Sequence, residues 1–167
     1  IQCCNIIYFL MIEQIYTYFA VEMIYLWLNI GVLPFWFMLL FFPQAKICKI
    51  FVTSIFPILI LATIDLYLIF ETYKTGFNLL DGFKLYLGID ELLYLFSNTN
   101  FITLFWIHFL GINLFCGSWI VRDYQKINMP RALAFLPLVL TYLIGPLGLS
   151  VYWLMRIFFS KRIDLYD

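Results

Sequence analysis

Apolar residues run through this chain in blocks of membrane length, with polar residues at the block edges or singly inside them. The blocks cover residues 23–42, 50–70, 101–121 and 132–159, and residues 15–22 carry the first helical pattern toward an interface. A bilayer core of about 30 Å needs about 20 helical residues. The pattern therefore predicts an all-α membrane protein with four transmembrane helices. The one sizeable polar region lies between the second and third blocks and holds Glu71, Asp81, Asp90 and Glu91 against Lys74 and Lys84. Within it, residues 89–96 (IDELLYLF) read as a short amphipathic helix lying along the interface. The run Ser97, Asn98, Thr99, Asn100 reads as the cap of the third span.

Spacing assigns faces. Glu22, Asn29 and Trp36 recur every seven residues and share one side of the first helix. Pro34 frees the carbonyl of Ile30, which must find another partner in lipid. In the second helix Ser54, Ile58, Leu61 and Asp65 form a stripe. In the third, Leu104, His108, Gly111 and Phe115 lie together, while Trp106, Asn113 and Gly117 lie roughly 140° to 180° away. His108 and Asn113 are thus expected to face different neighbours, or the two edges of one wide wedge. In the fourth, Thr141, Gly145, Gly148 and Tyr152 form a small-residue stripe suited to a helix–helix partner. Pro146 removes the donor for the carbonyl of Tyr142, which predicts a kink.

Composition supports lipid as the solvent. Of 167 residues, 65% are hydrophobic and only 12% charged, whereas soluble domains carry about 25% charged residues. A chain of this length suits one integral membrane domain, read as residues 11–162. Met11 reads as a natural start, residues 1–10 as an upstream extension and residues 163–167 as a polar tail. Net charge is zero, with no basic run, which sets nucleic acid aside. Cys3, Cys4, Cys48 and Cys116 have no paired spacing for a disulfide or zinc site.

The single histidine cannot supply a histidine-rich di-iron centre or paired haem ligands, so no metal or cofactor is expected. No mid-membrane lysine, nucleophile elbow or phosphate-cradling loop is present. Membrane lipid is the expected partner. In a four-span layout Lys46, Lys49, Arg122, Lys126 and Arg131 flank one side, and Lys74, Lys84, Arg156, Lys161 and Arg162 the other. The lysine/arginine count ties. The loops at 43–49 and 122–131 are read as cytoplasmic or stromal, because their charges sit next to span ends.

Ionisable residues inside a membrane are rare and often functional. That rule singles out Asp65 and His108, with His108 first because an imidazole near pKa 6.5 both gives and takes protons. The plainer alternatives are interhelical hydrogen bonds worth about 0.6 kcal/mol each and, for Asp65, a reach toward headgroups. The pair Arg122 and Asp123 reads as an interface anchor.

Three stretches carry a resemblance. The first is Trp106-Ile107-His108-Phe109-Leu110 followed by Asn113-Leu114-Phe115-Cys116-Gly117-Ser118-Trp119 and Asp123. The second is Asn29 to Trp36 with Pro34, closed by Pro43, and the third is Gly145-Pro146-Leu147-Gly148-Leu149 with Thr141 and Tyr152. Together they resemble a small membrane-protein family named for the plant abscisic-acid-deficiency protein needed for neoxanthin synthesis. In that pattern the position of Asn113 is usually aspartate, so this chain keeps the shape and loses the charge.

The resemblance implies a bacterial inner-membrane or plastid-type protein that binds or isomerises a carotenoid, xanthophyll or similar polyene lipid. The implied chemistry is epoxide opening with proton loss, which needs an acid and a base but no metal; His108 is then the best single catalytic candidate, with Asp65 or Glu22 as its second partner. The other reading is a non-enzymatic accessory or scaffold subunit of a membrane complex, meeting its partner through the Thr141, Gly145, Gly148 and Tyr152 stripe.

Overall fold

Long apolar runs satisfy their backbone internally as helices, and helix is the only regular structure among the described residues of this computed structural model. It describes residues 19–74, 76 and 79–160. The extension at 1–10, the start at Met11, Lys161, Arg162 and the polar tail lie outside the described residues. The helices are α1 (Val21–Phe41), α2 (Phe56–Lys74), α3 (Ile89–Phe96), α4 (Thr99–Lys126), α5 (Arg131–Ile144) and α6 (Pro146–Ser160). A π-helical turn, Cys48–Val52, precedes α2, and a 3₁₀ stretch, Leu79–Tyr86, precedes α3. Among the described residues three segments are long and apolar enough to cross a membrane: Val21–Phe41, Cys48–Lys74 and Thr99–Lys126.

The described residues form two compact units, one within 19–31 and 66–105, the other within 32–65 and 106–160. In the first unit, α3 occupies the predicted stretch 89–96, burying Leu95 and exposing Ile89, Leu93 and Tyr94. The predicted cap forms: Asn98 Oδ1 accepts the N–H groups of Asn100 and Phe101 at 3.0 and 3.1 Å. Phe96 packs on Phe101 and Phe105.

The second unit contains the correction to the sequence reading. The fourth span expected over 132–159 is two helices, α5 and α6, folded against each other. Gly145 makes the reversal with φ +54° and ψ −92°, a conformation that side-chain-bearing residues avoid. Its N–H closes α5 on the carbonyl of Thr141 at 2.9 Å, and its own carbonyl accepts from Leu149 in the first turn of α6. Pro146 is the first residue of α6, where its missing N–H costs nothing. Glycine past the end of one helix and proline at the start of the next make a stop and a restart, so the chain turns back where a kink was expected. Gly148 then lies so close to the backbone of Thr141 that no Cβ would fit.

The arms hold 14 and 15 residues, about 21 Å at 1.5 Å per residue. Neither arm spans a hydrocarbon core of about 30 Å. Arg156, near the end of α6, meets Asp123, near the end of α4 and just ahead of the start of α5. The hairpin therefore leaves by the end at which it entered.

The other elements of this unit share that frame. Helix α2 runs antiparallel to α4, with Ser118 Oγ donating to the carbonyl of Val52 at 3.2 Å, Gly111 beside Leu61, and His108 beside Asp65. The last carbonyls of α1 lack helical donors; the Arg131 guanidinium donates to those of Leu40 and Phe41 at 2.6 and 2.7 Å. Gln125 donates to the carbonyl of Pro43 at 3.1 Å.

Gly145→Ala is expected to lower thermal stability in detergent by about 1–3 kcal/mol, the usual cost of a strained backbone conformation. Gly31→Ala, in the interior of α1 with nothing within 4 Å of an added Cβ, is expected to be neutral or to stabilise by about 0.5–1 kcal/mol. Equal effects in the two melting curves would contradict the reversal at Gly145.

Candidate functional site

Two polar centres stand on opposite flanks of α4. The first joins α4 to α2. Antiparallel packing brings His108 Nε2 to 3.6 Å from Asp65 Oδ2, close enough for charge attraction and beyond good hydrogen-bond length. The Asp65 side chain is 16% exposed and that of His108 60% exposed. Asp65 Oδ1 is buried with no hydrogen-bond partner among the described residues. Leaving such an acceptor unpaired costs about 1–3 kcal/mol, and a fold that bears this cost keeps a strong acceptor available. The imidazole beside it lies open on the helix flank, within a segment of membrane length. A carboxylate and an imidazole at this separation are chemically suited to exchange protons with a third group.

The second centre holds the hairpin. Asn113 is 2% exposed, with its Oδ1 against Gly145 and its Nδ2 without a hydrogen-bond partner among the described residues. One turn further along α4, Gly117 admits the ring of Trp36, whose edge would stand 2.6 Å from an added Cβ. Trp36 also packs edge-on against Tyr142 at 5.3 Å. Below these, Trp119 meets Tyr152 edge-on and stacks on Trp153. Asp123 closes the group: its Oδ2 accepts from Tyr152 Oη at 2.6 Å and Arg156 Nε at 2.7 Å, and its Oδ1 from Arg156 Nη2 at 3.3 Å. Arg156 is 3% exposed and lies over the Trp153 ring.

A match to the family model described as ABA DEFICIENT 4-like covers residues 23–152. The chain belongs to the ABA4-like family. No curated protein and no solved structure matches it. Within this ABA4-like chain the residues that carried the resemblance converge on the second centre. Trp36, Asn113, Gly117, Trp119, Asp123, Gly145 and Gly148 all belong to the packing of the hairpin on α4 and α1. Pro146 opens α6.

The remaining motif residues lie elsewhere. Asn29 is half-buried and donates to the carbonyl of Tyr25 at 2.7 Å. Pro34 is exposed inside α1, and Trp106 stacks on Phe109. His108 is the motif residue that joins the first centre. Of the three candidate catalytic groups, the structure brings Asp65 and His108 together. Glu22 is exposed in the first turn of α1, in the other compact unit and just outside the family match.

Tyr152 and Arg156, the partners of Asp123, were not singled out by sequence as a polar pair. Their i,i+4 spacing, which puts both on one face of α6, was the available signal. Thr141 and Tyr152 are fully buried, and the close approach expected along their stripe is made inside the hairpin. Among the described residues no three His, Cys, Asp or Glu side chains come together as a metal site.

Arg156→Met leaves the largely enclosed Asp123 carboxylate with Tyr152 but without its counter-ion and is expected to destabilise by about 3–5 kcal/mol. Arg122→Met, at the exposed neighbour of Asp123, is expected to stay within about 0.5 kcal/mol. Thermal unfolding in lipid-free detergent separates the two, and equal losses would assign the wrong arginine to Asp123.

Proposed function

We propose that this ABA4-like protein takes a polyene or related isoprenoid lipid from the bilayer and that Asp65 and His108 carry out acid–base chemistry on it. The observation behind this reading is the exposed imidazole at membrane depth, 3.6 Å from a carboxylate with one buried, unpartnered oxygen. Family membership supplies the substrate class through its connection to neoxanthin synthesis.

An isomerisation of that kind needs no oxidant. A proton goes to the epoxide oxygen as the C–O bond breaks, and a proton leaves carbon as the new double bond forms. His108, when protonated, is placed to give the first proton. The Asp65 carboxylate is the neighbouring acceptor that holds the imidazole in place and can receive the second. General acid–base groups of this type contribute about 10²–10⁴-fold to a rate. The scaffold reading loses its main support, because the Thr141, Gly145, Gly148 and Tyr152 stripe is used within the chain.

The hairpin also bears on orientation. Lys46, Lys49, Arg122, Lys126, Arg131 and Arg156 gather at one end of the second unit, while α2 closes with Lys74 at its far end. The return of α6 adds Arg156 to the basic end, and this excess supports reading the 43–49 and 122–131 loops as cytoplasmic or stromal.

The test is expression in a host that makes epoxy-carotenoids, with membrane pigments resolved by chromatography. The intact protein is expected to alter the pigment profile or retain pigment through purification. His108→Gln and Asp65→Asn are expected to reduce conversion by about 10²-fold or more at unchanged protein level. An intact protein that neither binds nor changes pigment would overturn the function. Full conversion by both variants would overturn the role of the pair.

A further inference from the structure

Between the π-helical turn Cys48–Val52 and α2 the backbone is irregular over residues 53–55. Pro57, the second residue of α2, has no N–H to return to the carbonyl of Thr53. Local bonds repair part of the break: Thr53 N–H reaches back to the carbonyl of Cys48 at 3.0 Å, and Ser54 Oγ accepts from Phe56 N–H at 3.2 Å. Irregular backbone within a membrane segment is tolerated where it is buried in protein or lines a cavity. Here it lines a cleft of about 280 Å³ against α4.

The cleft is polarised along its length. Ile55, Pro57 and Ile58 face Leu114 and Phe115 across its apolar part, while Trp119 and Arg122 line it toward the end of α4. Thr53 and Arg122 also line an adjoining cleft of about 340 Å³ that adds Lys49. Together they lead from an apolar channel to two cations, with a tryptophan at the level where indole rings favour the interface.

Both cations are available. Lys49 and Arg122 are exposed, and neither side chain has a hydrogen bond or ion pair among the described residues. Asp123, the acid adjacent to Arg122, is committed to Tyr152 and Arg156. An apolar channel ending at two uncompensated cations selects an amphiphile with an anionic head. A guanidinium matches phosphate oxygens in two-point geometry, and an ammonium adds a point charge.

We propose that this cleft binds an acidic phospholipid of the surrounding bilayer, with its phosphate between Lys49 and Arg122 and an acyl chain along Ile55, Ile58, Leu114 and Phe115. The site lies on the α2/α4 face near the basic end, separate from the Asp65 and His108 pair. It stands on its own observations and holds whatever the fate of the proposed chemistry.

The test is native mass spectrometry of the full chain in detergent, titrated with phosphatidylglycerol or phosphatidylcholine of matched acyl chains. Two basic residues at a headgroup should favour phosphatidylglycerol by about tenfold or more. Lys49→Gln with Arg122→Gln should abolish that preference, while Lys46→Gln, which lies outside the cleft, should retain it. Ile58→Trp, filling the apolar part, should reduce retention of both lipids. Equal binding of the two lipids by the intact protein would overturn the proposal, as would a preference that survives the double substitution. Displacement of the bound lipid by millimolar inorganic phosphate would show a free-anion site and overturn the phospholipid assignment.

Discussion

The carboxylate of Asp123 does more than any other single group to determine the arrangement of the second unit. It receives Tyr152 and Arg156 from α6, two side chains separated from it in sequence by the whole of α5 and the reversal at Gly145. A guanidinium buried to this degree is stable only with its counter-ion in place. The bond therefore fixes where α6 ends, and Gly145 and Asn113 fix where the hairpin turns. The two constraints sit at opposite ends of one short helix pair, and each makes the other necessary.

The hairpin also decides which faces of α4 are left to other elements. The hairpin occupies one flank of α4, leaving the other flank to α2. On that flank Asp65 and His108 meet, and the broken start of α2 opens the cleft that leads to Lys49 and Arg122. Because α6 returns, Arg156 joins the basic end, which then differs in charge from the end that carries Lys74. A straight fourth helix would have carried Arg156 away and left Asp123 beside the exposed Arg122. The residues that mark the ABA4-like family serve this packing for the most part; His108 is the member of the set that lies beside Asp65 instead.

Local features were legible in the sequence because local physics decides them. Three of the four apolar blocks became the long segments, Asn98 caps α4, and residues 89–96 form α3. Helical spacing also separated His108 from Asn113, which face α2 and the hairpin respectively. The break at Gly145 and Pro146 was visible, but its size was not. A proline announces the loss of one hydrogen bond, whereas a reversal depends on positive φ at Gly145 together with the fit against Asn113 and Thr141. The Asp123 to Arg156 bond was hidden for the same reason, since only the reversal brings the two together. Asp65 and His108 each stood out as an ionisable residue in an apolar block, yet nothing local says that they touch.

The central claim is that α5 and α6 enter and leave by the same membrane face. Single cysteines at Gln44, Ser97 and Ser160, placed in a cysteine-free background in sealed vesicles and probed with a membrane-impermeant maleimide, test it directly. The account predicts that Gln44→Cys and Ser160→Cys label from one side and Ser97→Cys from the other. Labelling of Ser160→Cys from the same side as Ser97→Cys would mean that the last segment crosses the membrane, and would contradict the hairpin.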